Sequence, residues 1–306
     1  MLRMLIFALV TTLALSGCII NVNASGSATR LQETRELALD SAGLTQLNAD
    51  TGAGFLRITA VDGLEKIHVK ADIYSDEDIE PNLSLEQQGN QAVLIATIEN
   101  TAFSNNSPYI NLTVQVPSAM MLKLKDGSGD LDIIGGTDID INDGSGEIRI
   151  EQAHGHIRIV DGSGDIKISG GLTTDITDGS GNIEIVGSQG SMEIEDGSGN
   201  ILLNNIQGQI EIDDGSGDIS LTTSQGHVEI DDNSGEITIT QVVGNLDIDD
   251  NSGDITVRQV SGMVTIEDGS GDIDVADVGN VNIIESGSGS LTINGIKGVD
   301  NKAQLK

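Results

Sequence analysis

One phrase constrains what this chain can fold into. Asp214-Gly-Ser-Gly-Asp-Ile219 returns ten times at steps of 17 or 18 residues. Its first glycine stands at Gly127, Gly144, Gly162, Gly179, Gly197, Gly215, Gly269 and Gly287, with Asn233 and Asn251 taking the same place between. A fixed period of this length marks a repeat architecture, in which each unit buries its apolar face only against its neighbours. Every period divides into two nine-residue halves, such as residues 226–234 and 235–243, each opening on glycine with apolar residues third and fifth. Apolar residues at every second position predict a strand with one buried face. One strand of the coil carries Ile219/Leu221, Ile237/Ile239, Ile255/Val257 and Ile273/Val275; the other carries Ile210/Ile212, Val228/Ile230, Leu246/Ile248 and Val264/Ile266. Most are β-branched, which suits a pleated, half-buried surface. The predicted class is all-β: a parallel β-solenoid, β-helix or β-roll like, with 17–18-residue coils and two short strands per coil. Parallel stacking places identical residues in columns and so accounts for the repetition better than a series of antiparallel hairpins.

The two corners of the coil differ. At one, the first turn position is always Gly or Asn, the residues most tolerant of positive φ, so a left-handed backbone is expected there. The preceding Asp is placed to accept hydrogen bonds from the following amides as an Asx-turn. The other corner, at Gln189-Gly190, Gln207-Gly208 and Gln225-Gly226, carries no acid. One edge is therefore expected to be acidic and the other neutral.

Residues 1–17 read as a targeting segment. Arg3 supplies the positive start, and Leu5 to Leu15 form an apolar run too short to span a bilayer. Leu15-Ser-Gly-Cys18 resembles the lipobox of bacterial lipoproteins, in which the cysteine is lipidated (thioether-linked and palmitoylated) and becomes the mature N-terminus. Two or more chains anchor a protein stably to a membrane surface. Ile19 after the cysteine, rather than Asp, resembles lipoproteins passed on to the outer membrane. Cys18 is also the only cysteine, so no disulfide staples the fold.

Residues 18–43 are then the lipidated N-terminus and a flexible tether. Residues 44–125 are strand-rich but irregular, and read as divergent N-terminal coils or a cap, with a separate small β domain as the competing organisation. Gly52-Ala-Gly-Phe-Leu-Arg-Ile58 is a worn copy of residues 127–133. Residues 126–295 are the regular acidic array, with one extra residue near 280–285 that predicts a bulge. Residues 296–306 form a polar tail.

Leu112-Thr-Val-Gln-Val-Pro117, Leu122-Lys-Leu124 and the tandem Gly-Ser-Gly-Asp-Ile copies together resemble bacterial β-strand-repeat lipoproteins. These form a family of candidate adhesins with adhesin-head-like domains of unknown function. The likeness covers about residues 44–295. It implies a repetitive β architecture and an envelope role in display or contact, and it brings over no catalytic residue.

The formal net charge is −33, and no Lys or Arg occurs between Lys167 and Arg258. In a parallel solenoid, equivalent residues stack about 4.8 Å apart. Glu193, Glu211, Glu229 and Asp247 then form one like-charge column. The turn acids Asp196, Asp214, Asp232, Asp250 and Asp268 form another, beside Glu195, Asp213, Asp231, Asp249 and Glu267. In water each neighbouring pair repels by only about 1 kcal/mol, less in salt.

Two uses of these acids follow. One is a solvated acidic face that keeps a repetitive β protein soluble and discourages edge pairing. The other is Ca²⁺ binding along Asp196, Asp214, Asp232, Asp250 and Asp268, since hard oxygen ligands suit that ion. The array is similar to the nonapeptide Ca²⁺-binding rolls, but those carry acids at both corners and this chain at one.

Other chemistries have less support. His154 and His156 flank Gly155 without a Cys or third ligand nearby, which argues against a transition-metal site. Carboxylate pairs would suit a glycan-active enzyme, yet short coils offer no cleft. The charge excludes nucleic acid. Stacking on sugars is disfavoured, because Trp is absent and no aromatic follows Tyr109. The expectation is a non-catalytic, lipid-anchored protein of the bacterial cell envelope, in the outer membrane. It would display an acidic solenoid for adhesion-like contact or scaffolding. Its partners would be the membrane, through the N-terminal lipid, and an envelope or protein surface. No cofactor is required, with Ca²⁺ the one candidate ion.

Overall fold

The computed structural model describes residues 29–75, 79–98 and 107–297. Cys18, its processing site and residues 298–306 lie outside the described residues. Within them the chain is all-β, with 27 strands in two sheets and no helix. Sheet 1 has 14 strands and sheet 2 has 13, and from Met121 onward successive strands alternate between them, so each coil adds one strand to each sheet. From Met121 onward every pairing is parallel, which produces a β-solenoid of about 10 turns.

The predicted inward columns are the core. Ile201, Ile219, Ile237, Ile255 and Ile273 are consecutive partners in sheet 1. Ile194, Ile212, Ile230, Ile248 and Ile266 are consecutive partners in sheet 2. All are buried, within one apolar cluster that runs from Leu47 to Val278. Burying a Val, Leu or Ile side chain contributes roughly 1.5–3 kcal/mol before chain entropy is set against it. These columns are therefore what holds the coils together.

A third inward position per strand escapes strict alternation. In sheet 1, Gln152, Asn205, Thr223, Gln241, Gln259 and Asp277 adopt positive φ between 57° and 63°. That kink reverses the phase of the strand and turns the next residue inward. Ala153, Ile206, Ser224, Val242, Val260 and Val278 are buried as a result.

The tight corner also differs from expectation. Positive φ falls on the second glycine of the phrase, as at Gly217 with φ 144°, and on the first position only in the last copy, at Gly287. A Cβ on Gly217 would stand 1.7 Å from the carbonyl oxygen of Gly199 in the preceding coil. Glycine is required there by both conformation and stacking distance. The first position accepts asparagine because its amide bonds backwards, Asn233 Nδ2 to the Asp214 carbonyl at 3.3 Å.

The N-terminal segment continues the solenoid. Gln46–Thr51 lies between Gln91–Thr97 and Met121–Lys125 in sheet 2, and Leu56–Val61 lies between Tyr109–Pro117 and Leu131–Ile134 in sheet 1, all parallel. Residues 52–58 are indeed a worn coil, since Leu56 pairs Leu131 and Ile58 pairs Ile133. Antiparallel strands close this end: Lys66–Ser75 and Arg30–Asp40 on sheet 1, and Asn82–Gln88 on sheet 2.

Arg30–Asp40 corrects the reading of a tether reaching residue 43. It pairs with Lys66–Ser75 and packs Leu37 and Leu39 against the core, a spacing of two residues hidden among charges. At the far end the extra residue is Ile284. Ile283 pairs Ile266 and Glu285 pairs Glu267, and Ile284 is squeezed outward between them. Residues 296 and 297 are not yet tail: Ile296 packs on the core and the Lys297 amide donates to the Val278 carbonyl at 2.8 Å.

Candidate functional site: an acidic face and a buried acidic column

Sheet 2 strands alternate inward and outward residues, so its outer face is set by the second and fourth residues of Met192–Asp196, Ile210–Asp214, Val228–Asp232 and Leu246–Asp250. Those eight positions are Glu193, Glu195, Glu211, Asp213, Glu229, Asp231, Asp247 and Asp249, and every one is acidic. They are in register from strand to strand. Partial burial, and then the like-charged neighbours Asp249 and Asp213, raise the Asp231 carboxyl above its ordinary range. Among the described residues, the only basic group against this block is His227, with Nε2 3.8 Å from Glu229 and 3.6 Å from Asp247.

The same face is balanced nearer the N-terminus. There Lys123 meets Asp140 at 3.1 Å, Lys125 meets Asp50 at 3.6 Å and Arg158 meets Asp175 at 3.7 Å. Over the acidic coils the opposite face, on sheet 1, presents Leu202, Ser220, Thr222, Thr238, Thr240 and Thr256, and its one charged residue there, Arg258, pairs with Asp274 of the next coil. Of the two sheet faces, the acidic one is therefore the outer surface of sheet 2.

The turn acids are elsewhere. Asp196, Asp214, Asp232, Asp250 and Asp268 point into the solenoid, with Asp214, Asp232 and Asp268 fully buried at 0 % exposure. This corrects their placement beside the surface acids, and it follows from strand alternation: each Asp is two residues beyond an inward Ile. Asp126, Asp143, Asp161 and Asp178 occupy the same place in earlier coils. The column thus has nine aspartates. Thr51 precedes it, bonded to Asp126, and Ser286 succeeds it opposite Asp268.

The predicted Asx-turn is present. Oδ1 accepts the amide two residues on: Ser198 to Asp196 at 3.1 Å, Ser216 to Asp214 at 3.1 Å, Ser234 to Asp232 at 3.0 Å, Ser252 to Asp250 at 2.9 Å and Ser270 to Asp268 at 2.8 Å. Oδ2 of all nine is buried without a hydrogen-bond partner. No Lys, Arg or His is among the buried side chains described. Burial first, then the neighbouring aspartates, pushes Asp143 and Asp214 up to about 7 and Asp178 and Asp250 up to about 6. Asp126 is pushed up to about 6 by burial, against the opposing hydrogen bond from Thr51. Asp161, Asp196, Asp232 and Asp268 are raised for the same first reason.

A third file of polar residues follows the turn, and spacing alone did not reveal its role. Oδ1 of Asp165, Asn182, Asn200, Asp218, Asp254 and Asp272 accepts a backbone amide of the next coil, at 2.7–3.2 Å. These bonds staple coil to coil at the outer rim of the corner. The acidic edge therefore exists, but through Asp218 and its equivalents.

Among the described residues, no three His, Cys, Asp or Glu side chains converge where they could share a metal ion. Among the described residues, an open depression on sheet 1 is bordered by Arg149, Lys167 and Glu184. Both cations there are engaged by Glu147, Arg149 at 2.5 Å and Lys167 at 2.9 Å. His156 faces the hydroxyl of Thr173, and His154 does not join it in a cluster.

No protein-family profile matches the chain, and no curated protein matches it significantly. Solved structures similar to it include the following two. One is a candidate cell adhesion protein from Clostridium sporogenes ATCC 15579, 14 % identical, covering 86 % of this chain and 98 % of that one, with a TM-score of 0.28. The other is a candidate adhesin from Parabacteroides merdae ATCC 43184, 14 % identical, covering 86 % and 95 %, with a TM-score of 0.29. Both are bacterial proteins with adhesion-related names. At these scores the likeness carries no argument about what this chain does.

Proposed function

We propose that this chain is a non-catalytic protein of the bacterial envelope, held to the outer membrane through lipid on Cys18, whose solenoid presents the outer face of sheet 2 to a partner. The contact is adhesion-like or scaffolding in kind. One observation carries the reading: eight successive outward positions on a regular sheet are all acidic, while the opposite face of the same coils carries no acid. Soluble β proteins need scattered charge to protect their surfaces. They do not need every outward position along one sheet to carry the same charge. A one-signed field on a flat surface steers a complementary, basic partner and suppresses acidic ones.

The test compares two sets of substitutions in binding to isolated envelopes and to whole cells. Glu211→Gln, Glu229→Gln, Asp231→Asn and Asp249→Asn neutralise the face. Asp218→Asn, Glu236→Gln, Asp254→Asn and Asp272→Asn remove the same charge from the corner and keep oxygen acceptors for its coil-to-coil bonds. The face set loses binding, and what binding remains becomes less sensitive to salt. Equal behaviour of the two sets contradicts the proposal.

A further inference from the structure

We infer that the buried aspartate column holds protons in the folded protein near neutral pH, so that the regular solenoid is stabilised by acid and weakened by alkali. The column is nine carboxyls long, Asp126 to Asp268, one per coil at the parallel-strand spacing of about 4.8 Å. Every Oδ1 whose bond is described is engaged by a turn amide or by Thr51, so Oδ2 is the atom left to carry a proton. Every Oδ2 is shielded from water and unpaired. An ionised carboxylate in that position costs far more than a neutral one.

The charged groups facing the column make ionisation harder still. Within it, Asp214 feels Asp196 and Asp232, and Asp143 feels Asp126 and Asp161. From the outer face of sheet 2, Asp231 and Asp249 act on Asp232 and Asp250; from the corner, Asp218 and Asp254 act on Asp232 and Asp268. All are acids. The inward neighbours on sheet 1, Ile219, Ile237 and Ile255, carry no charge. A cation is the other conceivable occupant. A gap between two coils offers it two unshared Oδ2 atoms, whereas Ca²⁺ takes six to eight oxygens. A proton needs only one. Protonating every second aspartate leaves no two neighbouring charges.

The sign of the pH dependence follows. Folded-state values lie above the ordinary carboxyl value of 3.8, at about 6 for Asp126, Asp178 and Asp250 and about 7 for Asp143 and Asp214. Stability from the column is therefore complete below about pH 4 and is lost as the pH rises through 6 and 7. The hydroxyls of Thr51 and Ser286 end the column where its last carboxyls would face less regular coils.

The experiment is thermal melting of the full chain from about pH 5 to pH 8 at constant ionic strength. Wild type is compared with Asp143→Asn/Asp214→Asn and with Glu184→Gln/Glu236→Gln, which removes two surface charges instead. Wild-type Tm falls with rising pH by an amount on the order of 10 °C. The Asn pair, which keeps the Oδ1 acceptor, melts higher than wild type at pH 8 and loses much of the slope; the surface pair keeps it. A flat or rising wild-type curve, or one slope for all three proteins, overturns the inference. So does a Tm rise in calcium chloride, beyond sodium chloride of matched ionic strength, that the Asn pair abolishes. If the Asn pair does not fold, potentiometric titration of wild type decides. Several groups must take up protons between about pH 5.5 and 7.5 in the folded but not the urea-unfolded chain, and their absence overturns the inference.

Discussion

Asp214 and Asp232 are direct partners in adjacent parallel strands, both at 0 % exposure, and neither has a buried cation to meet. Two residues before them, Ile212 and Ile230 pair in the same way. Each aspartate thus takes the next inward place of its strand, where alternation alone would put another Ile. It is tolerated because it ends the strand and turns its Oδ1 back onto the following amide. Acid is layered on sheet 2: the column inside forms the turns, and the carboxylates outside form the surface.

This explains why an acid is permitted at one inward place and not at others. Ile237 opens its strand at 0 % exposure, stacked between Ile219 and Ile255, and its amide is already given to the Asp254 carbonyl at 2.9 Å. Ile237→Asp is expected to cost about 3–5 kcal/mol at neutral pH, and Thr238→Asp, facing outward beside it, under about 1 kcal/mol. Urea melts of the two variants measure the difference; equal losses contradict the inward assignment.

The glycine column makes an equally local prediction. Gly217→Ala sets a Cβ against the Gly199 carbonyl at 1.7 Å and at φ 144°, so coils must separate, at a cost of roughly 4 kcal/mol or more. Gly187 has φ 78° but nothing within 4 Å of an added Cβ. Gly187→Ala is therefore expected to cost only about 1–2 kcal/mol, the price of the left-handed backbone. Calorimetric melting distinguishes the two.

The kinked residues of sheet 1 predict a gain. Thr223 is β-branched and held at φ 62°, with Oγ1 donating to Gln241 Oε1 at 3.0 Å. Asparagine adopts this conformation more readily and keeps a donor. Thr223→Asn should stabilise by roughly 0.5–1 kcal/mol. A loss of stability would mean that the hydroxyl bond outweighs the strain.

Anchoring is tested at Cys18. Cys18→Ser is expected to leave the protein unprocessed or to release it into the soluble fraction. Membrane retention of a processed Cys18→Ser protein contradicts the lipid anchor.

Much of the solenoid was legible because its repeats are short and their apolar alternation is strict. Ile219/Leu221 and Ile237/Ile239 fall in the columns that the period predicts, and the bulge lies at Ile284. What the sequence hides is phase. Thr223 and Gln241 look like surface residues, yet their positive φ shifts Ser224 and Val242 inward. Asp214 looks like a turn acid bound for solvent, yet it is the third member of an i, i+2, i+4 inward set. Alternation carried one step further would have found it. The strand Arg30–Asp40 was obscured for another reason: it is an edge, and its charges protect that edge while masking Leu37 and Leu39.

The most direct measurement is ¹³C NMR of the aspartate carboxyl carbons between about pH 4 and pH 8. The predicted result is two populations. The buried set stands apart by keeping the protonated shift to pH 6 or above, and it is depleted by Asp143→Asn, Asp214→Asn and Asp250→Asn. A single population in which every aspartate titrates near 4 would contradict a protonated column at the heart of the solenoid.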